Sequence, residues 1–298
     1  MKKCKLIVTI PALTNRANVN KVISNQFVYG ARWNTGVVSP LNEAETLETL
    51  NSQCNLYKKQ FWVDIKGRQL RIKEWGQPLY NVIKLNHAIS VKGGAKVYFR
   101  GEEPLNLVYA KGNEIFVDPI PRYAVGAGQS VNIISDDIEI QGYLTPKDIK
   151  YLEAARSLNI NNVLASFVES DSDILAIKLA HPNSNITCKI ESKKGIENLS
   201  NLAGYNLMAA RDDLYIELNS DPYTMNYSMQ RIIAQDPNAI CASRIFTSLE
   251  HSHTISYSDF EDIENMYNMG YRTFMLCDNI CNYRFDEAIE GWKQFINN

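Results

Sequence analysis

The stretch from Asn185 to Glu217 constrains the fold most. It holds two short apolar runs, Ile186 to Ile190 and Tyr205 to Ala210, and each stops abruptly in charge. Lys189 and Glu191 close the first run; Arg211, Asp212 and Asp213 follow the second. Between them lies a helix-length segment with Gly195 and Gly204 at its edges. Runs this short read as buried strands of a parallel sheet joined by a helical crossover. In such folds the carboxyl ends of neighbouring strands share one face, and sites are built there. A lysine beside carboxylates from two adjacent strands can hold a divalent cation and an anionic substrate together. A single charge at a strand end reads as an ordinary solvated residue; two such clusters one helix apart shift the balance towards a site.

The same rhythm runs through the chain. Lys5 to Pro11, Gln26 to Asn34 and Gln60 to Ile65 read as strands, with helices at Arg16 to Ser24 and Asn42 to Lys59. The third strand again ends in charge, at Asp64 and Lys66. Residues 73–142 break the pattern: short strand-like pieces separated by Gly, Pro and Asn predict a small antiparallel insertion. Alternation resumes at Thr145-Pro146, an N-cap followed by proline at the first helical position. Strands at Asn162 to Phe167, Asn238 to Ile245 and Arg272 to Cys277 complete a count of eight. An open doubly wound sheet shares this alternation. The simplest closed solution is an α/β fold, a (β/α)8 TIM barrel over 1–72 and 143–298, with a β lid at 73–142 after the third strand.

Totals narrow the partners. A net charge of −2 gives no electrostatic reason for nucleic acid or an anionic membrane, and no apolar run is long enough to span a bilayer. The first residues, MKKCKLIVTIPAL, alternate like a strand, so a first strand is expected there and not a leader. The six cysteines and four histidines lack metal-site spacing; most of the cysteines fall in predicted strands, where Cys behaves as a small hydrophobe. A reducing, cytoplasmic setting is expected. Trp33 is placed beside candidate ligands as pocket lining, and Trp62 in the core.

Taken in order, the strand-end motifs resemble the catalytic barrel of the pyruvate kinase family. KLIVTIPA is similar to that family's first strand, GARWNTG to A-R-x-N-x-S, and VDIKGRQLR to D-T-K-G-P-E-I-R. CKIESKKGIENL resembles K-I-E-N-x-x-G, MAARDDLYIEL resembles M-V-A-R-G-D-L-G-x-E, and ICASRIFTSL resembles I-C-A-T-Q-M-L-E-S-M. The resemblance implies that Glu191 and Asp213 bind Mg²⁺ (or Mn²⁺), which holds phosphoenolpyruvate, pyruvate or another 2-oxo acid. Lys189 would neutralise the phosphoryl group in flight and Arg32 would contact its oxygens. Asn34, Asp64 and Ser166 would belong to a region for K⁺. Ser243, with the backbone N–H groups of Asp212 and Asp213, would hold the substrate carboxylate, and Arg71 would meet the nucleotide, ADP or ATP.

The departures matter as much. The lid is reduced, and no counterpart of the family's C-terminal domain is expected after the last barrel helix, so a monomer or homodimer is anticipated. The glycine before the metal aspartate is Asp212, and the glutamine after the active-site threonine is Arg244. The loop after the eighth strand, G-E-T-A in the family, is Asp278-Asn279-Ile280-Cys281. Asp212 adds a carboxylate where an anion should lie, which opposes binding unless its side chain turns away. Phosphoryl transfer to ADP leads. An aldolase or lyase that uses a pyruvate enolate is second, and a non-catalytic barrel that binds an oxo acid is third.

Overall fold

The computed structural model describes residues 2–75, 81–92, 94–99, 103–122 and 126–298. From the amino terminus, β1 (Lys5–Thr9), α1 (Arg16–Ser24), β2 (Val28–Asn34), α2 (Glu43–Leu56) and β3 (Gln60–Ile65) alternate. The next described strands follow one another without a helix: β4 (Ile72–Glu74), β5 (Val82–Leu85), β6 (Ile89–Ser90), β7 (Lys96–Phe99), β8 (Leu105–Lys111), β9 (Glu114–Asp118), β10 (Val131–Ile134) and β11 (Glu139–Ile140). Alternation then returns with α3 (Pro146–Ser157), β12 (Asn162–Ala165), α4 (Asp171–Ala180), β13 (Asn185–Ile190), α5 (Lys193–Glu197) and β14 (Asn206–Ala210). The remainder is α6 (Arg211–Glu217), α7 (Pro222–Gln235), β15 (Ile240–Ala242), α8 (Tyr257–Met269), β16 (Thr273–Met275), α9 (Asp278–Tyr283) and α10 (Phe285–Asn297).

Contacts divide the chain into two compact units, Met1–Ile65 with Ile149–Asn298, and Lys66–Asp148. The first is a closed eight-stranded barrel in the order β1-β16-β15-β14-β13-β12-β3-β2. Every pair around the ring is parallel. This is the (β/α)8 barrel expected from the alternation. Its interior is plugged by Ile7, Leu164, Met208, Ile240, Ala242 and Met275, with Trp62 packed against them. The plug makes the barrel a packed core and not a channel, so polar chemistry is confined to its ends.

The helices form where the sequence supplies caps and one apolar face. Asn42 and Glu45 make a reciprocal capping box at α2. Thr145 Oγ1 accepts from the Asp148 N–H at the start of α3, as the Thr-Pro pair predicts. In α10, Phe285, Ala288, Ile289, Trp292 and Phe295 fall on the buried side, the i, i+3, i+4, i+7 spacing of one helix face. The short α9, between the eighth strand and α10, is not anticipated by the sequence; six residues carry too little periodicity to read.

The second unit is antiparallel. Six strands run in the order β10-β7-β8-β9-β5-β4, and β6 pairs with β11 apart from them. Its two outer strands meet: Val131 N donates to Leu70 O at 2.9 Å, Ile72 N donates to Gln129 O at 2.9 Å, and Arg71 bridges to Ser130. The sheet therefore closes around Ile83, Leu85, Val97, Ile115, Val117 and Val131, which leaves no long unpaired edge among the described residues of this ring. His87 is buried between the Gly67 and Gln141 carbonyls, at 2.9 and 3.1 Å from its ring nitrogens. The unit starts and ends outside residues 73 and 142, because Lys66 to Leu70 and Asp148 pack with the insertion. Of the glycine-rich GGAKVYFRG segment, Gly93, Arg100 and Gly101 lie outside the described residues.

Candidate active site

Strand alternation decides which side chains meet at the barrel's carboxyl end. On β2, Arg32 and Asn34 share a face, so Trp33 between them faces the opposite way. Trp33 is fully buried, and its indole N–H donates to the Tyr151 hydroxyl of α3 at 3.3 Å. Its expected place in the pocket is therefore corrected: it packs the outside of the barrel against a helix. Trp62 is the tryptophan that faces the interior, two residues before Asp64 on the same side of β3.

One buried network joins most of the expected residues. Arg32 Nε donates to Asp64 Oδ2 at 2.6 Å, and Arg32 Nη1 donates to Thr9 Oγ1 at 2.8 Å. Ser166 Oγ donates to Asp64 Oδ1 at 3.3 Å. Lys189 Nζ donates to Ser166 Oγ at 2.8 Å, lies 2.9 Å from Glu191 Oε1 and 3.6 Å from Asp64 Oδ1. Glu191 Oε2 accepts from the Phe167 N–H at 2.8 Å. Phe167 has a φ of 51°, a left-handed conformation that a side-chain-bearing residue rarely adopts, so the strain falls where Glu191 is held. Asp64 is fully buried and Glu191 is nearly so.

Burial of these cations favours their neutral forms, but the carboxylates outweigh it. For Lys189, burial lowers the pKa, yet Asp64 and Glu191 leave it raised. For Arg32 the same opposition, burial against Asp64 and Asp278, again ends in a raised value. Both remain fixed positive charges. Arg32 also has unused capacity. Its Nε and Nη1 are bonded as described, whereas Nη2 donates to nothing among the described residues. A guanidinium edge of this kind fits an oxyanion.

Asn34 and Asp278 extend the network. Asp278, in the first turn of α9 after β16, accepts from Arg32 Nη1 at 3.2 Å and from Asn34 Nδ2 at 3.0 Å. The closing of β16 onto β1 brings it there. Asn34 Oδ1 in turn accepts from the Gly36 N–H at 3.0 Å. The Asn34, Asp64 and Ser166 oxygens expected to meet K⁺ each accept from a donor of the chain, as both oxygens of Glu191 do.

The other expected residues lie on the β14 and β15 side. Asp213 is half-buried in the first turn of α6. Asp212 turns outward, with 58% of its side chain exposed, and its Oδ1 lies 3.2 Å from Arg244 Nε. The Arg244 guanidinium sits 4.3 Å from the Tyr215 ring centroid. The two departures thus pair with each other, and only the Asp212 backbone is left to the barrel end. Ser243 is half-buried at a φ of 65°, and Arg244 follows at 56°. The Ser243 carbonyl accepts from Arg211 Nε at 3.1 Å and Nη2 at 2.8 Å, and Arg211 is held by both oxygens of Asp262 on α8 at 2.7 and 2.8 Å. Sequence reading gave no role to Thr9, Asp278, Arg211 or Asp262. Arg211 directly after the second apolar run and Asp278 in the loop after the eighth strand were the available signals. Arg71 belongs to the other unit, where its guanidinium engages Gln69 Oε1 and the Gly128 carbonyl.

For a divalent cation the donor set fits. Glu191, directly after β13, and Asp213, in the first turn of α6 after β14, supply hard carboxylate oxygens, and no group of three or more metal-ligating side chains occurs among the described residues. Mg²⁺ takes one or two carboxylates and completes its octahedron with water and substrate oxygens, which suits so sparse a set. Arg32 and Lys189 also face Asp64, Glu191 and Asp278, three carboxylates against two cations, so one negative charge remains for such an ion to balance.

Fold and site define a (β/α)8 barrel with a charged carboxyl-end face, the class in which that face hosts chemistry. The profile described as "Pyruvate kinase, barrel domain" matches residues 91–287, well over half of the chain, and the chain belongs to the pyruvate kinase family. It is similar to pyruvate kinase of Chlamydia pneumoniae, 24% identical over 248 residues that cover 72% of this chain and 51% of that protein. Pyruvate kinase of Borreliella burgdorferi is 25% identical over 50% of this chain and 33% of its own length. Pyruvate kinase 2 of Saccharomyces cerevisiae is 27% identical over 51% of this chain and 31% of its own length. The chain thus spans about half or less of the length of these relatives. No described helix is long and apolar enough to cross a membrane.

Proposed function

We propose that the barrel end is a phosphotransferase site acting on phosphoenolpyruvate or pyruvate, with ADP or ATP as the phosphoryl partner. One observation carries the reading: Lys189 is clamped between Asp64, Ser166 and Glu191 in a single buried network with Arg32, whose Nη2 edge has no partner among the described residues. Glu191 and Asp213 would hold Mg²⁺, which when bound supplies Lewis-acid stabilisation of the developing enolate oxygen. Arg32 Nη2 orients the phosphoryl oxygens. Lys189 offsets charge on the group in flight, and it is pre-positioned, so no reorganisation is needed at the moment of transfer. Ser243 holds the substrate carboxylate together with the backbone N–H groups of Asp212 and Asp213. Its hydroxyl or a water carries the proton to or from the enolate carbon. No step is assigned to K⁺, and Arg71 keeps the place of a nucleotide contact within the insertion.

A lyase acting through the same enolate is the second reading. It is favoured by Asp278, a carboxylate set against the arginine that a phosphoryl group would need. Titration of the purified chain with oxalate, an enolate mimic, with and without Mg²⁺, tests what the two readings share. Metal-dependent binding is expected, and its absence removes both. An assay with phosphoenolpyruvate and ADP, with and without K⁺, then separates them. Turnover that falls by about 10²–10³ in Lys189→Met is expected of the kinase. Oxalate binding without any phosphoryl transfer would leave the lyase.

A further inference from the structure

Asp278 stands at a position the proposed chemistry does not use. Its two oxygens take different partners: Oδ2 lies 3.2 Å from Arg32 Nη1, and Oδ1 accepts from Asn34 Nδ2 at 3.0 Å. These are the two polar side chains that β2 directs to the site. The carboxylate is 36% exposed, whereas the Arg32 side chain it meets is 8% exposed, so Asp278 approaches the guanidinium from the open side. Arg32 is already neutralised by Asp64 at 2.6 Å on its buried side. Structural need therefore does not explain a second carboxylate, because the buried cation has its counter-ion without it.

We propose that Asp278 is a specificity-determining residue that competes with the substrate's phosphoryl group for Arg32, so that the site favours an unphosphorylated 2-oxo acid over its phosphorylated enol form. The electrostatics give the sign. A phosphoryl group carries close to two negative charges, and it must approach Arg32 beside a fixed carboxylate that both repels it and occupies an N–H donor. The substrate carboxylate is assigned to Ser243 and the Asp212 and Asp213 N–H groups, not to Arg32, so Asp278 does not compete for its donors. Asp278 acts through Arg32, so its effect falls on the ratio of two affinities and not on both alike.

The inference rests on the reading of the barrel end as an oxo-acid site, and the experiment keeps the two apart. The full chain, Asp278→Asn and Asp278→Glu are titrated by calorimetry with phosphoenolpyruvate and with oxalate, each with Mg²⁺. Asp278→Asn should tighten phosphoenolpyruvate by about tenfold, the effect of removing one nearby charge at a partly exposed site. Oxalate should change by less than about twofold, with Asp278→Glu close to the parent. Asp278→Ser, which removes the charge in a smaller side chain, is measured alongside in case the amide variant does not fold. An unchanged ratio of the two affinities, or weaker phosphoenolpyruvate binding, overturns the role of Asp278 while the oxo-acid site stands. If the parent chain binds no oxalate with Mg²⁺, the site reading falls and this inference with it.

Discussion

Two regions of the barrel unit pair charges by the same chemistry in opposite surroundings. Arg32 and Asp64 meet at 2.6 Å with almost no exposure, and Lys189 and Glu191 meet at 2.9 Å two strands further round the ring. Asp212 and Arg244 meet at 3.2 Å with about half of each side chain in water. In the first region water cannot replace a lost partner, so each group depends on the others. In the second, water and salt can do most of what the partner does. The lesson concerns the two departures from the family pattern. Asp212 and Arg244 look alarming when each is read alone, yet as an outward pair they leave the buried network intact.

The sharpest way to break the comparison is to remove the carboxylate that the buried region shares. Asp64→Ala leaves Arg32 and Lys189 without their common counter-ion, and a buried charge stripped of its partner costs about 3–5 kcal/mol. Chemical denaturation of the purified variant, read from the barrel tryptophans, should show a loss of that size. A loss below about 1 kcal/mol would mean that the network relaxes into water and is not the closed unit its distances describe.

The next effect is smaller and concerns Ser243. Asp262 fixes Arg211 at 2.7 and 2.8 Å, and Arg211 fixes the Ser243 carbonyl in a backbone conformation that residues with side chains seldom adopt. Asp262→Asn keeps the shape but weakens the charged clamp. It should cost about 2 kcal/mol in stability, and if Ser243 holds the substrate carboxylate it should also weaken oxalate binding with Mg²⁺. Lost stability with unchanged oxalate affinity would make the clamp a purely structural pair.

Much of this was legible before any coordinates. Lys189, Glu191, Asp64 and Arg32 each end or closely follow an apolar run, and a parallel barrel brings such positions to one face whatever the loops do. The eight-fold count was legible for the same reason. Alternation within a strand also decides that Trp33 points away when Arg32 and Asn34 point in, although the pocket assignment overlooked it. What could not be read depends on closure. Asp278 reaches Arg32 only because β16 lies beside β1, two strands at opposite ends of the sequence. Asp262 reaches Arg211 across 51 residues, and its helix periodicity does not reveal which polar residue faces the barrel. The outward turn of Asp212 is set by Arg244 and Tyr215, contacts that sequence spacing leaves open. The meeting of the insertion's outer strands at Arg71 and Ser130 is likewise a tertiary fact, since nothing in strand-length apolar pieces states whether a sheet closes.

The smallest expected effect comes from the exposed pair and completes the comparison. Arg244→Ala removes an ion pair in water and a guanidinium 4.3 Å from the Tyr215 ring. The ion pair is worth about 0–1 kcal/mol and the ring contact about 0.5–1 kcal/mol at an exposed site. The total loss should stay near 1 kcal/mol, and the part due to Asp212 should fade in about 1 M salt, where charges are screened within about 3 Å. A double-mutant cycle with Asp212→Ala isolates that part. Should the coupling approach the size expected for Asp64 and persist in salt, Asp212 must be held by more than its exposed partner. The view that its carboxylate stays clear of the substrate face would then have to be abandoned.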